Sequence, residues 1–215
     1  MKKIFSKESK FTSFLQNVAD LMILNVLTIV CSLPIITIGA SYTAMHYVLT
    51  KWDDDKKIAR DFLDAWKNNF RQATIIWVAY LAVFGIILYD FYLIKELSIG
   101  TNATYVTIVI AAILFFTLGW TFILQSRYEN TIFRTIKNAL ILSFIQLKYT
   151  LAIALLYVLP FVIAYFFPPT IPTIFLLGVA TAGYFQRRFY KKVFEKIEHR
   201  DDENNCNENK EDQYE

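Results

Sequence analysis

Pro34 and five residues near it, Asn25, Thr37, Gly39, Ser41 and Thr43, could build a polar site in a largely apolar stretch. Pro34 removes a backbone donor and disfavours helix at Leu33, so the chain must break within 32–39. If Thr37 caps a second helix, the backbone donors of Gly39, Ala40 and Ser41 point into the turn. A helix start of that kind attracts anions or hydroxyl oxygens, and Asn25, Thr37, Ser41 and Thr43 would complete a polar site. The same run supports a plainer role, because Gly39, Ala40, Ser41 and Ala44 are the small residues that let membrane helices approach closely. The two roles are compatible.

Elsewhere reactive groups are sparse. There is no His-Glu-x-x-His pair, no Gly-x-Ser-x-Gly elbow and no Walker phosphate loop. His46 is the only histidine before the C-terminal tail, and no second ligand lies at helical spacing from it. Asp20 and Asp90 fall near helix ends, where solvated carboxylates are expected ahead of proton carriers. The chain therefore reads as a non-enzyme with no cofactor and no metal ion. Cys31 sits in an apolar helix and Cys206 in a polar tail, so no disulfide is expected.

The elements that would position the break are long apolar helices. Residues 74–94, 103–124, 149–167 and 170–186 each approach the roughly 20 residues that cross a bilayer core of ~30 Å. Residues 18–50 number 33, too many for one comfortable span and short of two. They read as a helix over 18–31, a turn, and a second helix over 39–50, forming a hairpin or a re-entrant pair. Broken backbone at membrane depth is tolerated only inside protein or beside a wet cavity, so the turn should be covered. The fold class is an all-α polytopic membrane bundle, with four clear spans, an N-terminal broken pair and amphipathic cytoplasmic helices.

Charge sets the expected orientation. The 22 Lys and Arg fall as 4 in 1–17, 6 in 51–72, 1 in 93–104, 4 in 125–148, none in 168–172 and 7 in 186–215. Cytoplasmic loops carry the excess of such residues, which places both termini inside and residues 93–104 and 168–172 outside. The basic N-terminus lacks a cleavable signal, so the first helix should stay attached. A net charge of +3 distributed in this way, without zinc-finger spacing or a basic-aromatic motif, argues against nucleic acid as a partner. Residues 1–17 are a cytoplasmic lead, 18–194 one membrane domain, and 195–215 a polar tail. Seven acids against one Lys in 201–215 predict disorder there.

Two cytoplasmic segments are amphipathic. In 56–73, Ile58, Phe62, Trp66 and Phe70 recur every four residues, opposite Lys57, Arg60, Asp64, Lys67 and Arg71. Phe62, Trp66, Phe70 and Arg71 mark this helix as one that lies at the inner interface or against the bundle, or that docks a cytoplasmic partner. A shift of 74 residues matches Arg60 with Arg134, Ala65 with Ala139, Phe70 with Phe144 and Gln72 with Gln146. The matching order of elements suggests two same-orientation repeats, over about 56–124 and 130–186.

A wider set of residues carries a family likeness. Asn25, Cys31-Ser32-Leu33-Pro34, Thr37-Ile38-Gly39-Ala40-Ser41, Thr43-Ala44, Phe62, Asn69-Phe70-Arg71-Gln72-Ala73, Arg127-Tyr128 and Asn138-Ala139-Leu140 resemble the YesL-like family of bacterial integral membrane proteins, domain of unknown function 624. The likeness covers about residues 10–195. It implies a plasma-membrane protein that accompanies carbohydrate uptake, with subunits of a carbohydrate ABC importer as partners, and it supplies no catalytic residues. Two functions stay open: an accessory or permease-like component of uptake, or a scaffold or sensor that forms no transport path. Polar residues in the later spans, Thr107, Thr117, Gln125, Thr150 and Thr181, are too few for an evident path, which favours the accessory form.

Overall fold

The computed structural model describes residues 10–53, 57–97 and 100–211. Helix α1 covers Lys10–Cys31, α2 Ile38–Thr50, α3 Ile58–Glu96 and α4 Thr101–Arg127. Helix α5 covers Ile132–Ile145, α6 Leu147–Phe166, the single turn α7 Ile171–Thr173 and α8 Val179–Glu211. Every element among the described residues is helical, as the apolar patterning predicts. Four helices are long and apolar enough to cross a membrane: Phe11–Cys31, Ile58–Glu96, Thr101–Arg127 and Leu147–Phe166.

That set differs in one member from the expected spans. Residues 170–186 are divided into a 3-10 turn at Pro168–Thr170, α7, a π turn at Ile174–Gly178 and the start of α8. Pro168, Pro169 and Pro172 fall at first-turn positions, where a missing donor is tolerated, and the regular ladder is lost further on, at the π turn. Residues 168–186 stay helical throughout but in short pieces, and α1, which begins at Lys10 rather than at 18, joins the helices long enough to cross. With 22 residues rising ~1.5 Å each, α1 reaches the thickness of a bilayer core. The break itself lies where Pro34 puts it, and α2 starts one residue before the expected Gly39.

The amphipathic segment 56–73 and the span after it are one helix. No Pro stands within α3 and Gly85 is its one glycine, so nothing breaks its 39 residues. At its start Asp61 accepts the backbone N–H of Lys57 at 3.0 Å and sets a carboxylate on the positive end of the helix dipole. The matching segment behaves differently. Gln146, with φ −109° and ψ 43°, separates α5 from α6, whereas its counterpart Gln72 sits inside α3. Ala65 and Ala139, paired by the same shift, are both buried.

The tail also differs from expectation. Helix α8 runs on to Glu211, through most of the acidic stretch; residues 212–215 lie outside the described part. Tyr190, Val193 and Phe194 anchor α8 in the core, and extending a helix already nucleated costs far less than starting one.

Three clusters fill the interior. Leu21 and Leu24 of α1 meet Ala44, Met45, Val48 and Leu49 of α2 and Ile58 and Phe62 of α3. Trp120 and Ile123 of α4 meet Ala139, Ile153, Tyr190 and Phe194. Ile76, Tyr80 and Phe122 form a smaller third cluster. Large apolar side chains cover the outside as well, among them Ile86 and Leu88 on α3 and Leu155 and Tyr165 on α6. Apolar patches of that extent are rare on proteins that face water and are the normal surface against lipid.

Candidate functional site

At the break, the expected cap is replaced by a closed turn. The Thr37 hydroxyl donates to the carbonyls of Cys31, at 2.6 Å, and Pro34, at 2.7 Å, and makes no capping bond to α2. A 3-10 turn at Ile35–Thr37 runs straight into α2, so the helix presents no open row of donors at Gly39, Ala40 and Ser41. The Ser41 hydroxyl folds back onto Thr37 O at 3.1 Å, and the Thr43 hydroxyl onto Gly39 O at 2.9 Å.

Nor is the turn covered on all sides. Leu33, Ile35 and Ile36 are exposed while Thr37 is buried. The backbone tolerates this because it satisfies itself: Ser32 N bonds Ile29 O, Leu33 N bonds Val30 O, and the Trp77 indole N–H donates to Ile35 O at 2.7 Å. What remains outward is apolar side chain, which suits a lipid surface.

Asn25 and Gly39 serve packing. Asn25 is fully buried, and its side-chain oxygen accepts the backbone N–H of Ala180 at 2.8 Å. Ala180 follows the π turn, where the regular ladder shifts and a backbone donor needs an outside acceptor. A Cβ at Gly39 would stand 2.7 Å from Ala73 O, 2.7 Å from Trp77 Cβ and 2.9 Å from Phe122 Cε1. Only glycine lets α2 lie this close to α3 and α4. The Thr37, Ser41 and Thr43 hydroxyls are thus bonded within the turn and α2, the buried Ser32 hydroxyl has no partner, and Asn25 points elsewhere, to α8.

A second polar cluster, without a sequence signal, lies where α2, α6 and α8 meet. His46 is fully buried, and its Nε2 is 2.9 Å from the Tyr157 hydroxyl. Its ring stands edge-on to Tyr190 with centroids 5.8 Å apart. Gln186, also fully buried, donates from Nε2 to Ile153 O at 3.2 Å while its Oε1 has no partner. Tyr190 and Gln186 share a face of α8, as do Ile153 and Tyr157 on α6, by i, i+4 spacing. Partners more than a hundred residues from His46 could not be read from local pattern.

Two further polar contacts tie the bundle. Arg187 of α8 pairs with Asp53 just after α2, and Lys191 approaches the same carboxylate at 3.7 Å. The hydrogen bond from Arg187 holds the Asp53 carboxyl below its ordinary range, with Lys191 adding to the effect. Between α3, α4 and α5, Gln125 donates to Asn69 Oδ1 at 3.2 Å, and the Tyr80 and Thr121 hydroxyls are 3.0 Å apart. Thr150 accepts from the Trp120 indole at 2.9 Å and donates to Ser143 O. Most polar side chains of the interior bond a backbone carbonyl or one another, while His46 Nδ1 and Gln186 Oε1 are buried without a partner.

Above His46 the helices part around a cavity of about 400 Å³. Its walls come from α2, α3, α4 and α6 and are nearly all apolar, with Tyr42, Trp77, Phe122 and Tyr157 innermost. The cavity is open on the side where Phe115, Val158 and Phe161 are exposed.

The aromatic stripe of α3 faces inward. Phe62 is fully buried, Trp66 packs on the same cluster, and the Trp66 and Phe70 rings meet at 4.7 Å. Of the four residues marked for docking only Arg71 is exposed, so the stripe lies against the bundle and any partner must meet the charged face. Arg60 and Asp64, 3.7 Å apart on that face, are both well exposed. Cys31 is a free thiol. Among the described residues no three His, Cys, Asp or Glu side chains gather where they could share an ion.

Residues 21–91 match the model of a family described as a protein of unknown function, DUF624, the family that the sequence resembles. The matched segment contains the break, α2 and most of α3, including Asn25, Gly39, His46 and Phe62. Neither a curated protein nor a solved structure matches the chain.

Proposed function

We propose that this multi-pass membrane protein is a non-enzymatic accessory component of carbohydrate uptake in a bacterial plasma membrane, with both termini cytoplasmic. The observation that supports an accessory role over a free-standing carrier is the state of the interior. Asn25, Gln125, Tyr80, Thr121, Thr150 and Trp120 are bonded to neighbouring protein groups, and the cavity is apolar. A sugar crossing the bundle would need aligned polar groups to replace its hydration, because a hydroxyl left without a partner in an apolar setting costs several kcal/mol. The link to carbohydrate uptake rests on the family resemblance alone. The exposed charged face of α3, with Arg60, Asp64, Lys67 and Arg71, is the surface we assign to subunits of an ABC importer.

Copurification of the tagged full chain with sugar-importer subunits, combined with sugar uptake in a deletion strain, tests this reading. Uptake that falls on deletion and returns with the gene supports it. Unchanged uptake together with loss of a transcriptional response to sugar would favour a sensor that forms no transport path, the second reading open to a closed interior. Orientation is tested separately by labelling single cysteines in intact cells. Asn102→Cys should react with an impermeant reagent, and Asn68→Cys should not; the reverse would invert the topology.

A further inference from the structure

We infer that the cavity between α2, α3, α4 and α6 is a binding site for one hydrocarbon chain of a membrane lipid, which enters sideways between α4 and α6. The inference concerns the occupant of the site and stands apart from the accessory reading above. Its mouth is lined by Phe115 of α4 and Val158 and Phe161 of α6, all exposed and on two helices of membrane-spanning length. The opening is therefore continuous with the apolar surface that meets the bilayer.

The chemistry of the walls chooses the occupant. Water in a cavity of this size would need two to four polar partners per molecule. The walls offer one free group, the Tyr42 hydroxyl, which is too few: the Trp77 indole N–H is bonded to Ile35 O, and the Tyr157 hydroxyl is turned to His46. A sugar fails for the same reason. A headgroup would lack a counter-charge, since no charged residue lines the space. A lipid chain needs none of these, and lipid is the solvent at the mouth. Gly119 adds room at the inner end, where a Cβ would already touch the Tyr157 ring at 3.4 Å.

The site also reaches the core. Tyr157 forms part of the wall and bonds fully buried His46, so a chain seated against the Tyr157 ring presses on the contact that joins α2 to α6.

The test uses the full chain in phosphatidylglycerol vesicles doped with the same lipid carrying a diazirine at the end of one palmitoyl chain. After photolysis, adducts should concentrate on the α4 segment containing Leu118 and Phe122 and on the α6 segment containing Tyr157, severalfold above those on the lipid-facing Ile86–Leu88 segment of α3. Val158→Trp, a substitution at an exposed position that plugs the mouth, should remove the cavity adducts and leave those on α3. Gly119→Leu fills the inner end and should do the same; Tyr157→Phe should keep the adducts. Adducts in the cavity no denser than on α3, or unchanged in Val158→Trp, would overturn the proposal. So would rapid reaction of Leu118→Cys with a water-soluble maleimide, since that would show water in the space.

Discussion

Asn25 accepts the backbone N–H of Ala180 at 2.8 Å, joining α1 to the first turn of α8 across 155 residues of sequence. An amide oxygen at this spot does what a regular helix would do for itself. The π turn at Ile174–Gly178 displaces the ladder, and Asn25 supplies the acceptor in an interior that offers no water.

Replacing that acceptor should be costly. Asn25→Ala leaves a buried donor unpaired, worth about 1–3 kcal/mol. Thermal unfolding of the detergent-solubilised chain should show a clearly lowered midpoint. Ser41→Ala, which removes only a hydroxyl bonded back to its own helix, should stay near wild type. Equal effects of the two would mean that the α1–α8 bond carries no weight.

Gly39 gives a sharper contrast between two glycines. At Gly39 even a methyl group would sit within 3.0 Å of Ala73 O, Trp77 Cβ and Phe122 Cε1, and two of these cannot swing aside. Overpacking of this kind costs about 1–3 kcal/mol or more, so Gly39→Ala should destabilise and Gly39→Leu should prevent recovery of folded protein. Gly85 has open space on all sides, and Gly85→Ala should gain slightly through helix propensity. Size-exclusion profiles of fluorescent fusions would rank the three. A normal profile for Gly39→Leu would refute the close α2–α3 contact.

On α3, burial orders the aromatic residues. Phe62 is fully buried and its loss to Ala should cost about 3–5 kcal/mol. Trp66 and Phe70 are half-buried and should cost less. Lys67→Gln and Arg71→Gln, both on the exposed face, should fall within about 0.5 kcal/mol of wild type. Hydrogen exchange across Ile58–Ala73 should accelerate in the first group and not in the last. Unfolding by the charge changes alone would reverse the assignment of the two faces.

How much of this could be read from the residues follows from the range of each signal. Pro34 breaks a helix by its own covalent structure, and Gly39 with its small neighbours announces close packing, so the break and its crowding are legible locally. The inward turn of Phe62 follows from four-residue periodicity. The bond from His46 to Tyr157 spans 111 residues and joins two helices whose facing is set by the whole bundle, so no window of sequence contains it. The same holds for Asn25 and Ala180. The bonds of the Thr37 hydroxyl to Cys31 O and Pro34 O likewise depend on how the chain turns between α1 and α2, which no residue pattern displays.

The contact of Asp53 with Arg187 makes the joint between α2 and α8 sensitive to acid. Arg187 lowers the Asp53 pKa in the folded protein, so the folded state favours the carboxylate more than the unfolded chain does. The contribution is complete above the unfolded pKa, about 4. It is lost as pH falls through the lower folded value. Because the Asp53 side chain is 66% exposed, solvent screens the pair and its worth is about 0.2–1 kcal/mol. The unfolding midpoint of wild type should exceed that of Asp53→Asn by a small margin at pH 7, and the two should converge below pH ~4. Arg187 is the more buried partner, at 11% exposure, so Arg187→Met should keep much of the packing while shrinking the pH-dependent margin to the part that Lys191 sustains. A margin that persisted below the folded pKa, or grew there, would show that Asp53 stabilises the joint by some means other than its charge.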